Sequence, residues 1–329
     1  MIRSIYFSPD KSFQLDLEAG TFPELAQTPG GLLWVDFSAE PAETCEPILQ
    51  SFGFHPLAID DALQETHSPK IDDWGDYIYL VINYMHLNGA NRHNWRTEVD
   101  ELDIFLGLNL VVTHHDHPLA AIDSVMAACQ RDPRYLHEGA DHLLYKIIDM
   151  VVGEYMPIVE QIDGAVDSIE DQVFDRPTPR TLEEIFSLKR VLLSMRRILL
   201  PQREVLNKLA RDDYRVVDRK DRIFFRDIYD HMVRLHDLNE TMRDLVSGAL
   251  DTYLSVINNR LNEVMKTLTV ITTLFMPLTF VTGFFGMNFF AAHPPYERWT
   301  SPLFFYGTIL LMTLTPAIMF LWMRRRTWL

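Results

Sequence analysis

Short apolar runs without a helical repeat dominate the first 135 residues of the chain. Three of them are rich in β-branched and aromatic residues and predict strands: GLLWVDF at 31–37, DYIYLVINYMHL at 76–87 and LDIFLGLNLVVTHH at 102–115. HPLAIDDALQ at 55–64 and PLAAIDSVMAACQ at 118–130 instead predict helices. We therefore predict an α/β domain over residues 1–138.

From residue 139 onward, apolar residues recur every three or four positions, which predicts helices. The turn DRPTPR separates two helices that we expect to pack as an antiparallel pair, with a kink at Pro157 in the first. No proline occurs between Pro201 and Pro277, so one helix is predicted from about Val217 to Phe285. Its 69 residues would extend roughly 100 Å. Residues 139–266 are thus predicted to form a helical stalk, and the fold class is α+β.

Two stretches near the C-terminal end carry no charge, 19 residues at 267–285 and 22 residues at 302–323. Each is long enough to cross the ~30 Å hydrocarbon core of a bilayer. We interpret them as transmembrane helices rather than as buried core helices. The predicted segments are a first span at 267–288, a loop at 289–301, a second span at 302–323 and a basic tail at 324–329.

Basic residues lie beside both spans, with Arg260 and Lys266 before the first and three arginines at 324–326 after the second. By the positive-inside rule, both termini are predicted to be cytoplasmic and the loop external. The N-terminus lacks the long apolar region of a signal peptide, so insertion would depend on the two spans. We expect a multi-pass protein of the inner (plasma) membrane.

Residues 1–259 contain 44 acidic and 24 basic residues, a net charge of about −20. This balance argues against a nucleic-acid partner and favours cations, although an acidic surface also serves solubility. The two cysteines, Cys45 and Cys129, have no metal-ligand spacing and fit a reducing compartment. HExxH, CxxC and nucleophile-elbow motifs are missing from the sequence, so we do not expect an enzyme.

One face of the long predicted helix is small or polar. Steps of three and four residues select Asn262, Met265, Thr269, Thr272, Met276, Thr279, Gly283 and Gly286. In lipid such a face must meet other helices or water, which leaves tight helix packing and a pore lining as alternatives. Two spans cannot enclose water, so a pore requires several copies around the first span, with a ring of Asn288 amides at the outer mouth. The same face continues back to Asp251, for which a solvated charge is the alternative interpretation.

The segment NEVMKTLTVITTLFMPLTFVTGFFGMNF at 262–289 closely resembles the first transmembrane helix of the CorA magnesium transporter family, whose signature is Gly-Met-Asn. FHPLAIDDAL near the start and FFRDIYDHMVRLHD at the base of the long helix are also similar to that family. The resemblance implies a homopentameric funnel whose axial pore is formed by the first span.

The resemblance also implies roles for individual residues. Gly286, Met287 and Asn288 match the outer selectivity filter. Asn262, Met265, Leu268, Met276 and Thr279 match pore-lining or gate positions, to which the polar face adds Thr272. Spacing alone selected Thr269 rather than Leu268. Asp251 matches an acidic position at the inner end of the pore, and Asp61 with Asp227 matches a pair that holds regulatory magnesium between neighbouring subunits.

The function implied is uptake of Mg²⁺, with Co²⁺ or Ni²⁺ as further ions, driven by the membrane potential and gated by cytoplasmic Mg²⁺. No organic cofactor is expected. The related alternative is a proton-coupled zinc transporter like ZntB, for which His114, His115 and His117 are candidate ligands, although we expect these to form a surface turn. A membrane-anchored metalloenzyme or a receptor is the alternative of a different class. The loop after Asn288, with His293 and Glu297, departs from the family pattern.

Overall fold

The computed structural model describes residues 1–64, 68–88, 95–175, 177–287 and 301–326. The chain divides into two compact units, Met1–Asp251 and Thr252–Leu329. The first unit contains a sheet and most of the helices, and the second contains the two apolar helical segments.

A mixed sheet of seven strands forms the centre of the first unit. In chain order the strands are β1 (Ile2–Phe7), β2 (Phe13–Leu15), β3 (Leu32–Ser38), β4 (Lys70–Asp73), β5 (Tyr77–Asn88), β6 (Arg96–Gly107) and β7 (Leu110–His115). Their spatial order is β2-β1-β3-β7-β6-β5-β4. The central strands β3 and β7 pair in parallel, whereas the other neighbours pair antiparallel. Strands β3 and β7 are buried along their whole length, and each begins with an apolar run, LLWV in β3 and LVV in β7.

Nine α-helices lie in the described part of the chain. They are α1 (Phe22–Ala26), α2 (Ala42–Ser51), α3 (Pro56–Gln64), α4 (Ala120–Arg131), α5 (Ala140–Gly153), α6 (Tyr155–Asp175), α7 (Pro179–Arg211), α8 (Arg222–Phe285) and α9 (Pro302–Arg325). Short 3₁₀ turns occur at Ala19–Thr21 and Pro133–Leu136. The overall class is α+β, as predicted.

The strand predictions are confirmed at β3 and β5, while the run at 102–115 divides into β6 and β7 around residues 108 and 109. The short strands β1, β2 and β4 were not predicted. Strand β4 has the sequence KIDD and lies at the edge of the sheet. Polar residues on an edge strand discourage its free side from pairing with another chain. Its sequence therefore gives little sign of a strand.

The predicted helix kink at Pro157 is wrong, because the chain breaks one turn earlier. Helix α5 ends at Gly153, and α6 begins at Tyr155 with Pro157 in its first turn, where the missing N–H of proline removes no helical hydrogen bond. Helix α8 begins at Arg222 rather than near Val217, because Val217 is buried in the turn that precedes the helix.

Buried polar contacts attach helices α6 and α7 to the sheet. The Asn83 backbone N–H donates to Gln202 Oε1 at 3.0 Å, and Gln202 Nε2 donates to the Tyr155 hydroxyl at 3.3 Å. That hydroxyl in turn donates to the backbone carbonyl of Asn83. Helix α7 also packs against α6, as the predicted helix pair requires.

The two apolar segments are the C-terminal part of α8 and the whole of α9. Each contains an 18-residue window with a mean hydropathy of 1.8. Only 6% of the α8 window and none of the α9 window is buried within the chain. A core helix of a soluble protein would be mostly buried, so these helices have the character of membrane spans.

Candidate functional site

Within the second unit, the apolar part of α8 has one covered face. The residues with reduced exposure there are Val270, Thr273, Leu274, Pro277, Leu278 and Val281. Helix α9 has a corresponding face formed by Thr308, Met312, Thr315, Pro316, Met319 and Met323. Such paired faces are the pattern expected when two helices pack against each other.

The predicted polar stripe lies on the other side of α8. Asn262, Met265, Thr269, Thr272, Met276, Thr279, Gly283 and Gly286 are all exposed in the single chain. At 100° per residue, the centre of this stripe lies roughly 200° around the helix axis from the covered face. Leu268 is 57% exposed and lies on the same side, so both Leu268 and Thr269 belong to the exposed side of α8. The stripe therefore lies within the wider part of α8 that its own chain leaves open, together with apolar residues such as Phe275 and Phe280.

Threonine hydroxyls in the stripe direct their protons toward their own helix. Thr269 Oγ1 donates to the carbonyl of Met265 at 2.7 Å, and Thr279 Oγ1 donates to the carbonyl of Phe275 at 3.0 Å. Each hydroxyl oxygen then retains lone pairs that can accept hydrogen bonds or approach a cation. The stripe thus offers neutral oxygen rather than fixed charge.

The predicted filter begins where α8 ends. The Gly286 N–H donates to the Thr282 carbonyl at 2.8 Å, and a Cβ at position 286 would lie 2.9 Å from that same oxygen. Glycine is therefore required for the close backbone approach. Met287 is exposed, and its N–H donates to the carbonyl of Phe284 at 3.3 Å. Asn288, His293 and Glu297 lie outside the described residues.

Three acidic residues of the first unit, Asp61, Asp227 and Asp251, were predicted to interact with cations. Asp251 is exposed at the C-terminal end of this unit. Asp61 on α3 is half-buried and bonded to Lys70 Nζ, which also lies 3.5 Å from Asp72 Oδ2. A cation at Asp61 would therefore have to replace the ammonium group of Lys70.

Asp227 has different surroundings. It is exposed on α8, and its charge acts on Tyr145 and Asp149 of α5. Burial, reinforced by the Asp227 carboxylate and opposed by Lys146 and His231, raises the pKa of Asp149. Sequence reasoning missed Asp149, although an acid inside the apolar run IIDMVV was a detectable sign. The pairing of Asp61 with Asp227 between neighbouring copies stays a prediction.

The prediction of a surface turn at His114–His117 is wrong for the first two histidines. His114 and His115 are the last residues of β7 and are 3% and 1% exposed, whereas His117 is exposed. His115 Nε2 lies 3.1 Å from Asp36 Oδ1, which also accepts the Thr113 hydroxyl at 2.6 Å. His115 therefore belongs to a buried polar network of the parallel strand pair.

His114 lies beside another buried acid. Its Nδ1 is 3.6 Å from Asp103 Oδ2, and Asp103 Oδ1 accepts the Tyr79 hydroxyl at 2.5 Å. Burial raises the pKa of Asp103 to about 8 and lowers the pKa of His114. Both shifts favour the uncharged forms, as expected of ionisable groups enclosed by a sheet and its helices.

Together these features are those expected of a membrane protein in which an acidic α/β unit precedes a long helix with an open polar stripe. The model of the family described as CorA-like Mg²⁺ transporter protein matches residues 29–325. A cobalt/magnesium transport protein CorA of Thermotoga maritima is 34% identical over 299 residues, which cover 90% of this chain and 83% of that protein. The chain therefore belongs to the CorA-like Mg²⁺ transporter family, whose members are transporters and not enzymes.

Solved structures show the same fold. The complete structure of the CorA magnesium transporter from Methanocaldococcus jannaschii has a TM-score of 0.81 at 23% identity and covers 99% of this chain and 98% of that chain. The cytoplasmic domain of ZntB from Vibrio parahaemolyticus has a TM-score of 0.58 at 16% identity and covers 78% of this chain and 98% of that one. At these identities the likeness shows the fold alone.

Asp103 predicts a specific dependence of stability on pH. The folded chain retains the Asp103 proton up to a pKa of about 8, whereas an unfolded Asp titrates near ~3.9. Between these values the unfolded state binds fewer protons, so Asp103 makes the protein less stable as pH rises, by at most ~1.4 kcal/mol per pH unit. Thermal unfolding of wild type and Asp103→Asn from pH 5 to pH 8 should show the variant gaining stability relative to wild type.

The exposed Asp167→Asn is the matched control for the loss of one acid. Its stability difference from wild type should not follow the trend seen for Asp103→Asn. A difference between Asp103→Asn and wild type that stays constant or shrinks with rising pH would contradict the assignment.

Proposed function

We propose that this chain forms a homopentameric channel that carries Mg²⁺ into the cell across the inner membrane, with both termini cytoplasmic. The observation that carries the proposal is the polar stripe of α8 on the side opposite its covered face. Copies arranged around a common axis would turn this open side inward, where its hydroxyl and amide oxygens meet water. Co²⁺ and Ni²⁺ are further ions of the same size class.

The proposed filter consists of the Gly286 carbonyl, Met287 and the Asn288 amide of each copy. Mg²⁺ sheds its water reluctantly and prefers octahedral oxygen. A ring of neutral oxygens can accept hydrogen bonds from the ion's hydration shell without removing it, and it releases the ion more readily than a ring of carboxylates would. The membrane potential supplies about 4.6 kcal/mol per 100 mV for a divalent ion, twice the value for a single charge.

Met265, Leu268 and Met276 supply the proposed gate. Their side chains are 60%, 57% and 70% exposed in the single chain, on the same side as Asn262, Thr272 and Thr279. Rings of such side chains around a narrow axis exclude water, and an ion cannot pass a dry constriction. A small outward movement of α8 would rewet the constriction and allow conduction.

Regulation is proposed to act through Asp61 and Asp227 of neighbouring copies, which would share a cytoplasmic Mg²⁺. Carboxylates are suitable ligands for this ion, and the bound charge would offset repulsion at an acidic interface. When cytoplasmic Mg²⁺ falls, loss of the ion would release the interface and shift the population toward the open state. Asp251 would attract cations at the inner end of the pathway.

Zinc transport coupled to protons is the weaker candidate. The sequence evidence for it was the cluster of His114, His115 and His117. The first two of these are buried in β7, and His115 is hydrogen-bonded to Asp36. The likeness to the ZntB cytoplasmic domain extends to the fold alone. Mg²⁺ therefore remains the proposed ion.

The variant Asn288→Ala in proteoliposomes tests the proposed filter. Mg²⁺ uptake should fall at least about tenfold, equivalent to ~1.4 kcal/mol, because each copy loses one filter amide. A panel of Mg²⁺, Co²⁺, Ni²⁺ and Zn²⁺, with and without a proton gradient, compares the candidate ions. Thr313→Ala on α9 is the control, since its hydroxyl is bonded to the Ile309 carbonyl of the same helix and lies outside the stripe. A receptor function predicts equal uptake in the variant and the control.

Limited proteolysis tests the proposed regulation by Mg²⁺. Mg²⁺ should protect the wild-type oligomer from limited proteolysis, and Asp227→Ala should need a higher Mg²⁺ concentration for the same protection. Asp237→Ala removes another exposed acid of α8 and should behave as wild type. If the Mg²⁺ dependence of protection is unchanged in Asp227→Ala, the regulatory role of Asp227 is wrong even where transport is intact.

A further inference from the structure

A second group of acids lies in the first unit, where the start of α5 meets the turn that leads into α8. One carboxylate oxygen each from Asp141, Asp218 and Asp221 lies within 4.8 Å of the other two. Asp141 and Asp221 are 7% and 1% exposed, and Asp218 is exposed at the surface of the group. Three acids so close together, two of them enclosed, repel one another when ionised, and a shared cation would relieve that repulsion.

Asp221 has one carboxylate oxygen that accepts no hydrogen bond from the described part of the chain. Its Oδ1 lies 3.0 Å from His142 Nδ1, which is also 3.2 Å from Glu138 Oε2. Its Oδ2 is buried and has no hydrogen-bond partner among the described residues. A buried carboxylate oxygen without a hydrogen bond costs more free energy than an unpaired neutral polar atom, so a cation bound at this oxygen would be favourable.

The Lys220 ammonium lies close to two of these carboxylates. Its Nζ lies 3.7 Å from Asp221 Oδ2 and 3.8 Å from Asp218 Oδ2, beyond hydrogen-bond distance from either. The two oxygens thus face the same cationic group. Because the Lys220 side chain is 62% exposed, its ammonium, which also donates to the Glu138 carbonyl at 3.5 Å, can move into solvent when another cation takes its place beside Asp221.

The acids also have a structural role that accounts for part of the arrangement. Asp141 accepts the backbone N–H groups of His142 at 3.0 Å and Asp218 at 2.9 Å, which fastens the turn to α5. These bonds use one lone pair of each Asp141 oxygen and leave the other available. They do not explain the orphan oxygen of Asp221 or the shared approach of Lys220.

We propose that Asp141, Asp218 and Asp221 bind a divalent cation of the hard, oxygen-preferring class, with water completing its coordination. Three carboxylates match Mg²⁺ or Mn²⁺. The cation would displace the Lys220 ammonium, and His142 would act as a positioning residue by holding Asp221 through Oδ1. This site uses none of the residues of the predicted Asp61–Asp227 pair, and it does not depend on the proposed transport function.

Occupancy would connect two parts of the chain that are distant in sequence. Asp141 lies at the beginning of α5, and Asp221 immediately precedes α8, its backbone carbonyl accepting the Phe224 N–H at 3.0 Å. A cation bound to both would fix the beginning of the helix that carries the polar stripe. Any ligand that binds only the folded state also stabilises it, so binding should raise the melting temperature.

The test uses Mn²⁺ and the full-length protein in detergent, with Asp61→Asn and Asp227→Asn present to remove the other predicted site. Electron paramagnetic resonance measures free Mn²⁺ during the titration. This background should still bind Mn²⁺, and Asp218→Asn should weaken that binding at least about tenfold, because it removes a ligand. Lys220→Gln should instead tighten binding several-fold, because it removes a competing cation.

Controls distinguish binding from folding. Asp218 has an exposed side chain, so its Asn variant should melt like the background without Mn²⁺, whereas Asp221→Asn alters a buried bond. Asp167→Asn removes an exposed acid elsewhere and should leave Mn²⁺ affinity unchanged. The proposal is overturned if the background binds no Mn²⁺, if Asp218→Asn binds as tightly as the background, or if Lys220→Gln weakens binding.

Discussion

A polar atom in the hydrocarbon core of a bilayer must find a protein partner or water, because lipid offers neither donor nor acceptor. The second unit meets this constraint on α8 with threonine hydroxyls that donate to carbonyls one turn back and keep their oxygens facing outward. The covered face of α8 turns the opposite way. One chain therefore has a polar surface that it cannot enclose itself, and the proposed self-association around that surface would satisfy the constraint.

Several other features follow from this arrangement. Gly286 permits the close backbone approach at the end of α8, so that the proposed filter segment begins directly at the helix terminus. Neutral oxygen in the stripe would allow ions to leave as well as enter a pathway there, while the acidic residues are concentrated in the first unit. The proposed cation binding by carboxylates and the proposed cation passage along neutral oxygens thus lie in different parts of the chain.

The sequence predicted the structure best where an apolar or polar pattern extends over many residues. The uninterrupted α8, the two apolar spans and the polar stripe were predicted from spacing, whereas the role of Gly286 as part of a filter came from the family resemblance. Short edge strands such as β4 were missed because their polar sequences resemble loops. The surface turn predicted for His114 and His115 was wrong because the pairing of β7 with β3 buries these residues. The local sequence does not reveal that pairing. The contact of Asp141 with Asp221 joins residues 80 positions apart and has no local pattern.

The central claim is that the polar stripe of α8 lines the ion pathway. Cysteine introduced at Thr272, on the stripe, or at Leu274, on the covered face, tests it directly in proteoliposomes treated with a water-soluble thiol reagent. The native Cys45 and Cys129 are fully buried and give little background. The account predicts that the reagent blocks Mg²⁺ uptake by Thr272→Cys and leaves Leu274→Cys active. Block of Leu274→Cys with Thr272→Cys unaffected would contradict it.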